Sequence, residues 1–318
     1  YVYCTMFWSG SMSSAGGLLY AKYRMKGEPM PFAIAYLPEP TLYAIGTSQL
    51  PFPKYDEYAI AGGFRGEPVE VVESETIPGL MVPAHAEWII EGEFLPEDYK
   101  VPIGAEAIWQ GYMYGGELCP VARIKCITHR KNPWWYYTFS MKIVSDHPNL
   151  GNNVYEAEVI RDLRELGYRI KDVVAYDLET VVIQSELDGM QKAFSPHYGK
   201  LILNAVYGGR NRLISGKCNK FFIVVGPDVD PYDPREVLWA VNSRVMPISD
   251  SIFIEKGLAG WGDPSAESGL LGWRTFGEQM LIDALIKVPE KWMEFPPVSE
   301  PKEWEKVAIE KMKAKIGE

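Results

Sequence analysis

A loop of small residues, Ser9-Gly10-Ser11-Met12-Ser13-Ser14-Ala15-Gly16-Gly17, carries the first chemistry legible in this chain. Where such a loop opens a helix, backbone N–H groups approach an anion closely and the helix dipole adds favourable potential. The same residues also describe a capped turn with no ligand, and both readings stand. The four histidines (His85, His129, His147, His197) show no ligand spacing and read as structural or surface residues. Asp228, Asp230 and Asp233 lie in a Pro-rich loop. Oxygen-rich loops hold hard cations, but this one lacks the glycine and distal glutamate of a calcium loop, so capping aspartates are the better reading. The block Trp134-Trp135-Tyr136-Tyr137 follows Asn132-Pro133. It either lines a pocket for a planar substrate or, on a strand with alternate rings on opposite faces, sends at least two rings into the core. Neither a Ser/His/Asp arrangement nor a P-loop or dinucleotide fingerprint is present.

These groups need elements to hold them. The first 145 residues read mostly as strands and turns: β-branched or aromatic runs at 32–36, 70–72, 87–93, 121–128 and 134–140 alternate with Gly62-Gly63, Pro78-Gly79, Gly115-Gly116 and Asn132-Pro133. One helix, over 18–25 with serine caps before it, interrupts them. This spacing predicts a small barrel or folded-over sheet. From residue 152 the pattern turns to α/β. A helical face runs from Val154 to a stop at Gly167, and strands follow at 173–175 and 181–183. A helix around 201–206, a buried strand at 221–225 and a helix over 234–243 capped by Asp233 continue the alternation. Short buried parallel strands covered by helices are the expectation. Residues 246–300 read as irregular and Gly-rich, and 303–315 as a charged amphipathic helix for docking or oligomerisation.

The whole chain has 318 residues, 47% apolar and 23% charged, enough to bury a core and organise into two domains. A net charge of −10 disfavours a nucleic-acid partner, which requires a basic surface. No apolar run reaches the roughly 18–20 residues of a membrane span. Four scattered cysteines (Cys4, Cys119, Cys126, Cys218) without a CxxC pair suit a reducing cytoplasm, and no signal peptide is visible. The chain opens at Tyr1 on an apolar, β-prone run without an initiator methionine. The expectation is that an upstream part is missing from this chain or supplied by another polypeptide.

The run Val82-Pro83-Ala84-His85-Ala86-Glu87-Trp88-Ile89-Ile90-Glu91-Gly92-Glu93 resembles the UbiD family of decarboxylases and carboxylases. Collinear matches are Asp56-Glu57-Tyr58-Ala59-Ile60-Ala61-Gly62-Gly63-Phe64-Arg65-Gly66, Ile127-Thr128-His129-Arg130-Lys131-Asn132-Pro133, Phe222-Ile223-Val224-Val225-Gly226-Pro227-Asp228-Val229-Asp230, and the stretch from Asp233 to Arg244. The resemblance implies an α/β (α+β) fold: a split β-barrel flavin-binding domain followed by a C-terminal α/β three-layer domain. The barrel would span 1–150 with a return segment at 246–300, the oligomerisation domain 151–245 and a terminal helix 301–318. It also implies homo-dimers or hexamers, and prenylated FMN held through a divalent metal (Mn or Fe) with potassium nearby.

Carried over residue by residue, the resemblance puts Glu57 at a metal-ligand position and Ser13 and Ser14 in the cofactor loop, with Ser14 where the family has histidine. Ser48, Gln49 and Leu50 stand at flavin and potassium contacts, and Gln279 at a late flavin-binding lysine. The family's Asn ligand and catalytic Arg fall upstream of Tyr1. Both positions of the family's paired acids hold isoleucine, Ile103 and Ile108; Glu106 lies between them and substitutes as the proton donor only where the backbone shifts register. Glu93 and Asp98 repeat the acid spacing but stand too early in the chain. The reading taken forward is a prenylated-FMN decarboxylase or carboxylase for an aromatic or α,β-unsaturated acid, including its CoA thioester. The alternative is a non-catalytic subunit of a multi-subunit carboxylase, with a plain flavin-binding module as a third reading.

Overall fold

The computed structural model describes residues 3–5, 15–47, 56–96, 100–102, 106–107, 113–114, 118–136, 146–176, 180–187, 197–208, 220–259, 265, 267–268, 275–287 and 302–316. The first part comprises β1 (Tyr3–Thr5), α1 (Ala15–Lys26), β2 (Met30–Tyr36), α2 (Pro40–Thr47), α3 (Glu57–Arg65), β3 (Val71–Glu73), β4 (Met81–Pro83), β5 (Trp88–Phe94), β6 (Lys100–Pro102), β7 (Glu106–Ala107), β8 (Met113–Tyr114) and β9 (Leu118–His129). The second comprises α4 (Asp146–Glu165), β10 (Ile170–Ala175), β11 (Thr180–Ser185), α5 (Tyr198–Tyr207), β12 (Phe221–Val225), α6 (Pro234–Arg244), β13 (Ser251–Ala259), β14 (Glu267–Ser268), β15 (Thr275–Ala284) and α7 (Glu303–Ile316).

The long strand β9 is the spine of a five-stranded antiparallel sheet in the order β1-β9-β5-β2, with β6 also on β9. Its two faces follow from period-two alternation. Met30, Phe94 and Ala122 face α1, where Tyr20 and Tyr23 pack on them. Ile89, Ala33 and Ala35 face the other way, against Val82 and Ala86. Gly92 is fixed by crowding: a Cβ there would lie 2.3 Å from the Arg123 carbonyl oxygen and 2.9 Å from the Phe32 ring.

The second sheet runs β10-β11-β12-β15-β13, with β14 on β15. Tyr155, Val159 and Leu163 of α4 and Ile202, Leu203 and Val206 of α5 bury one face, together with Val173, Val181, Ile183 and Phe222. Val237 and Ala240 of α6 cover Val182 and Val225 on the other. Each fully buried side chain of this size is worth about 1.5–3 kcal/mol over its exposed state, so the interleaved valines and isoleucines of β10–β12 hold this unit together. The end of α4 is set by Gly167 at φ +88°, a conformation that costs a Cβ-bearing residue strain. No described helix is long and apolar enough to cross a membrane.

Four sequence expectations change. Residues 40–47 and 57–65 are helices rather than strand-and-turn. The second sheet is mixed: β11, β12 and β15 run parallel, whereas β10 and β13 pair antiparallel at its flanks. The described strands of the expected return segment, β13 and β15, join this second sheet instead of the first. Leu281 and Ala284 are fully buried and Ile282 nearly so, so β15 needs neighbours on both sides and finds them in β12 and β13. Trp134, Trp135 and Tyr136 lie outside any strand, after the Pro133 break.

Candidate functional site

Glu57 opens α3. Asp56 caps the helix by accepting from the Tyr58 N–H at 2.9 Å, and Gly66 closes it at φ +76°. Leu42 and Ile45 of α2 pack on Ala61, with Tyr58, Ile60 and Val69 around them. Arg65 bonds both Glu39 and Glu67, tying the far end of α3 to the segments on either side. The Tyr58 hydroxyl donates to the Met81 carbonyl at 3.4 Å. Burial, then the charges of Asp56 and Glu57, push that phenol up from its ordinary pKa. The Glu57 carboxylate is thus exposed on a firmly positioned helix start, where the dipole favours its charge. It makes no ion pair among the described residues, so both oxygens are available to a hard cation. The described residues contain no group of three or more His, Cys, Asp or Glu placed to hold a metal.

The other expected site residues are divided. The backbone of Glu106 is in β7, opposite Tyr114 of β8. Gln279 is buried in β15 of the second sheet, whereas Glu57 belongs to the first part of the chain. Ser13, Ser14, Ser48, Gln49, Leu50, Ile103 and Ile108 lie outside the described residues. The helix that follows the Ser/Gly loop begins at Ala15 and has no acidic residue in its first turn, so its N-terminal N–H groups face no carboxylate of their own helix there.

The three glutamates of the longest motif serve the scaffold. Glu87 accepts from the Trp134 N–H at 3.0 Å and from Arg130 at 3.3 Å. Glu93 pairs with Arg123 at 3.3 Å and Lys125 at 2.5 Å. Glu91 is 1% exposed and accepts from the Thr76 N–H at 2.8 Å, the Thr76 hydroxyl at 2.5 Å and the Glu75 N–H at 3.1 Å. Burial alone would raise its pKa; the hydroxyls of Thr76 and Ser74 and the two amides outweigh it and hold the carboxyl below the ordinary glutamate range.

Of the aromatic block, Trp134 is 76% and Trp135 67% accessible, so these two rings lie outside the core, and Tyr137 lies outside the described residues. Trp135 stacks on Tyr36 at 4.8 Å and meets Trp88 edge-on at 5.9 Å, and Trp88 donates its indole N–H to the Trp134 carbonyl at 2.9 Å. Among the histidines, His85 pairs with Glu70 at 2.8 Å and His129 packs on Trp88. The acidic loop serves the fold, as expected of capping aspartates. Asp233 caps α6, Asp230 accepts from the Tyr232 N–H, and Asp228 takes a two-pronged bond from Arg244. Sequence reasoning missed a buried cluster at the end of β15. Asp283 is 1% exposed there and accepts from the Leu285 N–H, and burial pushes its carboxyl up while Lys287 opposes the shift. Its only signal is an acid within the apolar run Met280-Leu281-Ile282-Asp283-Ala284.

Comparison with known proteins matches residues 4–143 to the 3-octaprenyl-4-hydroxybenzoate carboxy-lyase Rift-related domain and residues 149–284 to the 3-octaprenyl-4-hydroxybenzoate carboxy-lyase C-terminal domain. An uncharacterized Synechocystis sp. protein is 27% identical over 291 residues, 90% of this chain and 54% of that relative. The structure is similar to HmfF of Pelotomaculum thermopropionicum, solved with FMN, at 25% identity and TM-score 0.71 over 89% of this chain and 59% of that one. It shares its fold with the open form of Sedimentibacter hydroxybenzoicus vanillic acid decarboxylase, at 23% identity and TM-score 0.72 over 94% and 61% of the two chains. The chain therefore spans about half to three fifths of the length of these relatives.

Proposed function

The chain belongs to the UbiD family, and from that premise we propose that it carries out non-oxidative loss or addition of carbon dioxide on an aromatic or α,β-unsaturated acid, free or as a CoA thioester. Relatives solved with FMN and with prenylated FMN, and others that decarboxylate vanillic and 3,4-dihydroxybenzoic acid, support this choice of cofactor and substrate class. In this reading the first sheet and α1 are part of a split barrel for the flavin. The second sheet and its helices form a three-layer unit through which copies associate as dimers or hexamers.

Prenylated FMN supplies an electron sink for cleavage at the substrate carbon. The chain's own residues bind and orient. Glu57 would be a ligand to a divalent metal, Mn or Fe, with Ser14 at the position where the family has histidine. Ser13 and the N–H groups opening α1 receive phosphate, and the backbone at Ser48, Gln49 and Leu50 contacts flavin and potassium. Gln279 takes the place of a flavin-binding lysine as a neutral partner. Glu106 is the general acid: its carboxyl delivers a proton to the carbon that loses carbon dioxide and recovers it in the reverse direction. Ile103 and Ile108, at the family's acid positions, carry no proton.

The observation that carries this reading is the Glu57 carboxylate, exposed and unpaired among the described residues on a capped helix start. Glu57→Gln, made in cells that produce prenylated FMN, should lower metal and flavin occupancy together while the far-ultraviolet dichroism stays unchanged. Full occupancy of both in that variant would remove Glu57 from the site.

A further inference from the structure

Just past the end of β15, the Lys287 side chain reaches back to the turn between α6 and β13. Four oxygens surround its ammonium: the carbonyls of Asp283 at 2.7 Å, Arg244 at 3.4 Å and Leu285 at 3.5 Å, and Oδ2 of Asp250 at 3.2 Å. An ammonium has three directed N–H donors, and only the Asp283 carbonyl lies at ordinary hydrogen-bond distance. Three carbonyls and one carboxylate are instead the oxygen set that replaces the water around a monovalent cation, whose attraction has no direction.

The surroundings are arranged for one positive charge. Arg244 ends α6, so its carbonyl is among those a helix leaves unbonded, at the negative end of the dipole. The Arg244 guanidinium is engaged elsewhere, on the Asp228 carboxylate and 4.8 Å from the centre of the Trp239 ring. Asp250 accepts from the Met246 N–H at 2.8 Å, which closes the turn, and its carbonyl accepts from the Asp283 N–H at 2.9 Å. Lys200 of α5 donates to the Ser249 carbonyl on the same turn. The Asp283 carboxyl packs on Gly199 of α5, where a Cβ would lie 2.1 Å from Oδ1. Among the described residues, Asp250 is the one carboxylate paired with Lys287, and the two side chains are only 11% and 21% exposed. Salt screens such a partly buried pair little.

We propose that this cage is a monovalent-cation site of the potassium and ammonium class, filled by the chain's own lysine. Lys287 is a tethered ion that fastens the ends of α6 and β15 to the turn before β13, and it makes that joint independent of the cations in solution. The inference rests neither on Glu57 nor on the decarboxylase reading, and the cage is separate from the potassium contacts proposed at Ser48, Gln49 and Leu50.

Thermal unfolding of the full chain in potassium, ammonium and choline chloride at equal ionic strength tests it. Lys287→Ala should unfold about 5 °C or more below wild type in choline, because Asp250 is left without its partner. Potassium or ammonium, small enough for the vacated cage, should recover about half of that loss and saturate with concentration, as a bound ion does. Lys287→Met, whose apolar chain fills the same space, should be destabilised without preference among the three salts. Wild type in the same salts is subtracted, which removes the effect of cations bound elsewhere. Should Lys287→Ala fail to fold in choline, its refolded yield in ammonium against choline gives the same reading. An alanine variant as stable as wild type, or one equally impaired in all three salts, would overturn the proposal.

Discussion

Replacing Glu91 by glutamine should cost about 1–2 kcal/mol, and by alanine about 3 kcal/mol, although neither touches the proposed site. One Glu91 oxygen takes two bonds from Thr76 and the other takes one from the Glu75 N–H. Glutamine keeps one accepting oxygen, so its amide N–H group faces a donor and one bond is lost; alanine strips all three. Because the folded carboxyl titrates below the ordinary glutamate value, its contribution is fully present above about pH 4.3 and fades as pH falls through the lower, folded value. The wild-type-minus-glutamine difference should therefore be constant near neutrality and shrink in acid. Urea unfolding at several pH values measures it, with the m-value unchanged, and hydrogen exchange at the Thr76 amide reports the 74–79 turn directly. A glutamine variant within about 0.5 kcal/mol of wild type at neutral pH, the noise of ordinary surface changes, would refute this account of the motif.

Gly92→Ala should destabilise the chain by about 1–3 kcal/mol, because the added methyl meets the backbone of β9 and that strand cannot withdraw without breaking its pairing; thermal unfolding checks it. Glu106→Gln should retain flavin and metal while turnover of an aromatic acid falls about 10²-fold or more. Full activity in that variant would take Glu106 out of the mechanism.

Much of the fold was legible because its signals are local. Asp233 before Pro234, Gly167 after the α4 face and the apolar run 221–225 each mark an element that the structure places there. The helix α3 carried equally local marks, Asp56 at its start and Gly66 at its end, and was obscured by Gly62-Gly63 inside it. Pairing was less legible, since nothing local distinguishes an antiparallel flank such as β13 from a parallel neighbour. The exposure of Trp134 and Trp135 depends on Tyr36 and Trp88, some 50 to 100 residues away in sequence. The scaffolding work of Glu87, Glu91 and Glu93 likewise depends on distant donors, so a motif rich in carboxylates reads as chemistry until its partners are known.

The central claim is that this chain binds a prenylated flavin through a metal. Mass spectrometry of small molecules released from the full chain, produced in cells that make prenylated FMN, with metal analysis of the same sample, tests it most directly. The account predicts prenylated FMN together with stoichiometric Mn or Fe; protein that emerges with neither flavin nor metal would contradict it.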